Sequence, residues 1–75
     1  MTDYCYPVVI QEGEDGYFVA ACPAIEGCFS QGNSIAEALE NIREAIALCL
    51  DDLRERGERP PAPGTTLLSQ VVVAA

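Results

Sequence analysis

SIAEALENIREAIALCLDDLRER, residues 34–56, is the stretch that decides the fold of this chain. Ser34 and Glu37 make the S-x-x-E pattern of a capping box: the hydroxyl accepts from the Glu37 amide, and the carboxylate reaches back to the Ser34 amide. Ile35, Leu39, Ile42, Ile46, Cys49 and Leu53 follow at steps of four and three, which is one apolar stripe of an amphipathic helix. Ala38, Ala45 and Leu50 widen the stripe. Glu37, Glu40, Glu44 and Asp51 fall towards the outer side. Arg54, Arg56 and Arg59 gather where the helix dipole favours cations, and Gly57 supplies the stop. A helix of this length carries most of one layer of a 75-residue domain.

The segments before the helix read as β-structure. Residues 4–11 are rich in aromatic and β-branched side chains. The turn at residues 12–16 contains Asp15-Gly16, a hairpin signal because glycine accepts positive φ. Residues 17–22 return, Pro23 and Gly27 bound a loop, and residues 28–31 make a short third strand before the Gly32-Asn33 turn. After the helix, Arg59-Pro-Pro-Ala-Pro-Gly64 is a stiff extended connection, and residues 65–75 end in a β-branched run that predicts a fourth strand. The expected fold is therefore α+β, in the order β-β-β-α-β, with one long helix packed on one face of an antiparallel sheet.

Alternation places Tyr4, Tyr6, Val8 and Ile10 on one face of the first strand, and Tyr17, Val19 and Ala21 on one face of the second. Both faces of both strands are apolar, whereas a sheet with one solvated face normally alternates apolar and polar residues. One helix covers one face. The other calls for a second copy or a protein partner, unless a monomer carries an exposed aromatic face. Tyr4, Tyr6, Val8, Tyr17 and Val19 are the candidate oligomer face, in a dimer or a tetramer.

Twelve Asp and Glu stand against four Arg, for a net charge of −8, with no Lys, His or Trp. The absence of His excludes imidazole catalysis and histidine metal ligands. The charge argues against direct nucleic-acid binding, which runs on Lys and Arg neutralising phosphates. With 49% apolar residues the chain is no disordered acidic tail. Residues 1–42 carry seven acids and no base, and residues 60–75 carry no charged side chain. Such a one-sided field serves solubility alone or steers a basic partner.

No catalytic constellation is visible. The acids of the strand region lie at its ends and in a turn, Ser30 and Ser34 lack a base, and Glu12, Glu14 and Asp15 fall short of a calcium-loop pattern. The reading is a non-enzyme with no cofactor and no metal. Cys5, Cys22, Cys28 and Cys49 read as reduced, mostly buried thiols, with a four-thiolate zinc site as the alternative. The sequence from Met1 to Cys5 lacks the basic and apolar regions of a signal peptide, and uncharged runs are too short or too broken for a membrane span. The expected location is cytoplasmic, with no membrane partner.

Tyr6-Pro-Val-Val-Ile10, Glu14-Asp-Gly-Tyr-Phe-Val-Ala20, Cys22-Pro-Ala-Ile-Glu-Gly-Cys-Phe-Ser-Gln-Gly32 and Ser34-Ile-Ala-Glu-Ala-Leu-Glu-Asn-Ile-Arg-Glu-Ala-Ile46 occur in that order. This ordered set closely resembles the HicB-like antitoxin family over residues 4–56. Glu26 departs from the proline common in the family at that place. The resemblance implies a β-β-β-α-β unit related to a degraded ribonuclease H fold, which binds and neutralises HicA, a small basic toxin that cleaves messenger RNA. Many members add a DNA-binding domain; here residues 1–75 are expected to form a single HicB-like domain without one.

Two functions follow. The first is an antitoxin-type binding module for a HicA-like basic toxin, with Glu12, Glu14, Asp15, Glu37, Glu40 and Glu44 as candidate contacts. The alternative is a homo-oligomeric structural or regulatory HicB-like domain without a toxin. An enzyme or small-ligand domain is a third, weaker reading.

Overall fold

A computed structural model describes residues 3–75. Met1 and Thr2, where the stretch without signal-peptide features begins, lie outside them. The elements run β1 (Val9–Glu12), a single 3-10 turn (Glu14–Gly16), β2 (Phe18–Ala21), β3 (Phe29–Gly32) and α1 (Ile35–Glu55). The sheet is antiparallel with strand order β1-β2-β3, and α1 lies across β3 and β2. The fold is α+β, as the sequence implies.

The hairpin turn forms where Asp-Gly places it. Asp15 and Gly16 both take positive φ, at 62° and 77°, and the Gly13 amide donates to the Tyr17 carbonyl at 2.7 Å. The ladders pair Val9 with Ala21 and Glu12 with Phe18, then Phe18 with Gly32 and Ala21 with Phe29. Gly32 is buried at the point where β3 meets the helix, beside the Ala38 backbone.

Ser34 caps α1: its Oγ accepts from the Glu37 amide at 3.1 Å. The return arm of the box differs from expectation. The Glu37 carboxylate accepts from the Asn33 amide at 3.2 Å, one residue before Ser34. The buried stripe is also rotated. Ala38 and Ile42 are fully buried, with Ala45, Ile46, Cys49 and Leu50 half-buried, whereas Ile35 and Leu39 are about half exposed. The small Ala38 brings the helix close to β3, and this close approach turns Ile35 and Leu39 towards the flank. Ala20, Cys22, Ile25 and Cys28 complete the core.

The fourth strand does not form within the chain. Residues 65–75 carry no regular secondary structure, and Leu67, Leu68, Val71, Val72 and Val73 are 76 to 99% exposed. Strand propensity reflects fit to a pleated, half-buried surface, so β-branched composition alone does not make a ladder. The proline-rich connection is held at its middle, where the Tyr6 hydroxyl donates to the Pro61 carbonyl at 2.7 Å.

Candidate functional site

The acidic residues come first because they dominate the field. Glu12 ends β1 opposite Phe18, and Phe18 lies opposite Gly32, two residues before the helix cap. The turn carrying Glu14 and Asp15 therefore projects from the end of the sheet at which α1 begins. Glu12, Glu14, Asp15 and Glu37 share that end, while Glu40 and Glu44 lie one and two turns further along the helix. All six are exposed.

Most of the arginine pairing serves other acids. Arg54 pairs with Asp51 at 3.5 Å, and Arg56 pairs with Asp52 at 3.1 Å and Glu58 at 3.5 Å, at the far end of the helix. Arg43 approaches Glu40 at 3.9 Å. Among the described residues no ion pair reaches Glu12, Glu14, Asp15 or Glu44. Exposed pairs of this kind are worth about 1 kcal/mol at most. The acids of the hairpin therefore face solvent without an arginine partner.

The five residues expected on one oligomer face are not brought together. Paired residues of β1 and β2 are both even or both odd, as in Ile10 with Ala20 and Gln11 with Val19. Cross-strand partners share a face, so Tyr6, Val8, Ile10, Phe18 and Ala20 face the helix and pack on the core. Tyr17 and Val19 lie on the opposite, open face with Val9, Ala21 and Phe29. Phe29 is 65% exposed and was not among the expected contacts. Hairpin parity carries the missing signal: a turn that pairs residue 12 with residue 18 sets the two odd sets side by side. Tyr4 stacks on Tyr6, with ring centroids 6.3 Å apart and planes 14° from parallel.

The half-sheet beside β1 is less covered than the half beside β3. A groove of about 580 Å³ runs between the approach to β1 (Tyr4, Tyr6, Val8) and the helix (Leu39, Ile42, Ile46). A second hollow, of about 510 Å³, lies between the 22–28 loop and the last turns of α1, with Arg56, Arg59 and Pro61 in its wall.

All four cysteines are free: Cys22 and Cys28 are buried, Cys49 is half-buried and Cys5 is exposed. The Cys28 thiol is pushed up to about 11, chiefly by burial, then by its hydrogen bond to Cys49 and by electrostatic interaction with Cys49 and Cys22. Such a thiol stays protonated and poorly nucleophilic at neutral pH. Burial, with smaller contributions from Tyr4 and Cys22, also raises the Tyr6 phenol above its ordinary value. Among the described residues, no three Cys, Asp or Glu side chains gather closely enough to hold a metal ion. No described helix is long and apolar enough to cross a membrane.

A family model described as the HicB_like antitoxin of bacterial toxin-antitoxin system matches residues 6–72. The chain belongs to the HicB-like antitoxin family. This HicB-like chain is 46% identical over 56 residues to a UPF0150 protein of Thermoplasma acidophilum, covering 75% of the chain and 81% of that protein. It is 40% identical over 65 residues to a UPF0150 protein of Synechocystis, covering 87% and 80% respectively. A Haemophilus phage HP1 protein of 14.9 kDa is 39% identical over 56 residues, which is 75% of the chain but 41% of the phage protein. Membership supports an antitoxin-type role and a toxin as partner in general terms. The family is a class of antitoxin modules and not a known class of enzymes.

Proposed function

We propose that this HicB-like chain is a non-enzymatic binding module that neutralises a small basic toxin of the HicA type in the cytoplasm. The observation that carries the reading is the acidic end: Glu12 at the end of β1, Glu14 and Asp15 in the hairpin turn and Glu37 at the helix start, none in an arginine pair among the described residues, continued along α1 by Glu44 and by Glu40, which Arg43 approaches. A basic toxin that binds RNA presents cationic surface for phosphates. An acidic partner seated on that surface competes with RNA for it. Complementary charge acts mainly on the association rate and makes it fall with salt.

Co-expression with a small basic HicA-like protein tests the proposal. The expected result is a co-purifying complex and restored growth. Reversing Glu12, Glu14 and Asp15 to Lys slows association at least about tenfold at low salt, and reversing Glu37, Glu40 and Glu44 also slows it. Association rates unchanged by both triple reversals would remove the acidic end from the interface. The second reading, a homo-oligomeric domain without a toxin, draws on the exposed Tyr17, Val19 and Phe29 of the open face. Charging Phe29 dissociates an oligomer built on that face and leaves one built elsewhere intact.

A further inference from the structure

Two features of the chain lack a partner within it. The first is an arm. Residues 65–75 contain no charged side chain, and their Leu and Val side chains are 76 to 99% exposed. The second is an edge. β1 pairs with β2 on one side only, and the groove between Tyr4, Tyr6, Val8 and the helix residues Leu39, Ile42 and Ile46 lies open beside it. Exposed edges of this kind accept an added strand through main-chain hydrogen bonds, while alternate side chains fill the pocket.

The arm and the groove match chemically. The groove is mostly apolar, and its charged members, Glu40 and Arg43, approach each other at 3.9 Å. An uncharged, β-branched arm enters it without burying an unpaired charge. A basic partner gains nothing from such an arm, because the acids that would attract it are all in residues 1–58.

The root of the arm explains why the match is not made within one chain. Pro60, Pro61 and Pro63 stiffen the connection, and the Tyr6 hydroxyl holds Pro61, which lines the other hollow beside the last turns of α1 and not the groove. Beyond that anchor the arm stays exposed and does not turn back onto the edge. Eleven extended residues at about 3.3 Å each reach roughly 35 Å, longer than any strand of the sheet.

We infer that residues 65–75 seat in the groove beside β1 of a second copy as an added strand, and that the exchange is reciprocal. Donor and acceptor on one polypeptide make a self-complementary two-fold contact, and exchange of an identical element is a low-cost route to a dimer. Two seated arms bury on the order of 2,000 Å², at the upper end of the range for stable specific interfaces. This contact uses the β1 edge and the helix side; it borders Glu12 at the end of β1 and Glu40 in the groove, and leaves the turn acids Glu14 and Asp15 and the open sheet face free. It does not depend on the toxin.

The test uses the full chain in three measurements. Light scattering at about 100 μM gives twice the chain mass. The double variant Val71→Asp, Val73→Asp weakens self-association more than about a hundredfold, because both carboxylates would have to be buried unpaired. Its far-UV circular dichroism keeps the helix signal and loses only the strand contribution of the seated arms, since the arm supports nothing in its own body. Finally, Val71→Cys, on the groove-facing side of the arm, is oxidised by dissolved oxygen to a disulfide with Cys5, which is exposed and lines the groove, and the product runs at twice the chain mass under non-reducing conditions. A monomeric wild-type chain, a dimer indifferent to the charged arm, or a Cys5 bridge within one chain each overturns the exchange.

Discussion

Replacing Gly32 by alanine separates close packing from backbone freedom at the junction of sheet and helix. A Cβ on Gly32 would lie 2.5 Å from the Ala38 nitrogen, 2.8 Å from the Glu37 carbonyl carbon and 3.0 Å from the Ala38 Cα. These are backbone atoms in the first turns of α1, so no side-chain rotation relieves the overlap. The helix start must move away from β3 by about 1 Å. That shift loosens Ala38 and Ile42, the two most deeply buried residues of the helix. Overpacking of this kind costs about 1 to 3 kcal/mol, and backbone contacts place this site at the upper end. The alanine restricts the unfolded chain, which returns about 0.5 to 1 kcal/mol. The net loss is then about 2 kcal/mol. A 75-residue domain has a total stability of only about 4 to 11 kcal/mol. Urea denaturation followed by circular dichroism reads the loss directly, and the midpoint of thermal unfolding falls by roughly 8 to 16 °C. Gly13→Ala is the matched control. Its φ is −95°, and the nearest atoms to an added Cβ are the Tyr17 carbonyl at 3.6 Å and a Val19 methyl at 3.8 Å. It should leave stability within about 0.5 kcal/mol of wild type or raise it. A Gly32→Ala variant as stable as wild type would refute the close approach of β3 and α1.

Three further outcomes are expected. Ser34→Ala removes the Oγ acceptor of the Glu37 amide and costs about 1 kcal/mol, measured by the same denaturation; a neutral result would remove the cap from the account. Ile42→Ala empties the largest fully buried side chain and costs about 2 to 5 kcal/mol, and a cost under about 1 kcal/mol would mean that the core is centred elsewhere. Cys28 titrates near 9 when unfolded and near 11 when folded, so the fold favours the neutral thiol. Below about pH 9 both states hold the proton and stability is unaffected; from about pH 9 to 11 the unfolded state loses it first and stability falls. Denaturation of wild type and Cys28→Val between pH 7 and 10.5 should diverge above pH 9, and parallel curves would contradict the buried, protonated thiol.

The helix and the hairpin were legible because their determinants are local. Ser34, the 3.6-residue apolar period and Gly57 set the helix within a residue of its observed ends, and Asp15-Gly16 placed the turn. The exposed acids were legible for the same reason, since an amphipathic helix and a Gly-rich turn leave them nowhere else to go. The faces of the sheet were not. Period two sorts residues within one strand, but which set of β2 joins which set of β1 depends on the pairing register. Alternation alone therefore groups Tyr6 with Tyr17, which lie on opposite sides of the folded sheet.

By itself, the sequence determined an α+β domain with one long capped helix after three short strands, an uncharged final segment and an excess of acid at one end. Tertiary structure alone decided three further matters. Ala38 and Gly32 let the helix settle on β3, which leaves the β1 side open. Register divided the aromatic residues between two faces. Residues 65–75, strand-like in composition, found no ladder within the chain, because the Tyr6–Pro61 bond and the prolines fix where the arm starts and no edge of its own sheet receives it. Local propensity selects the conformation a segment favours; whether a strand forms depends on an edge within reach, which only the folded chain defines.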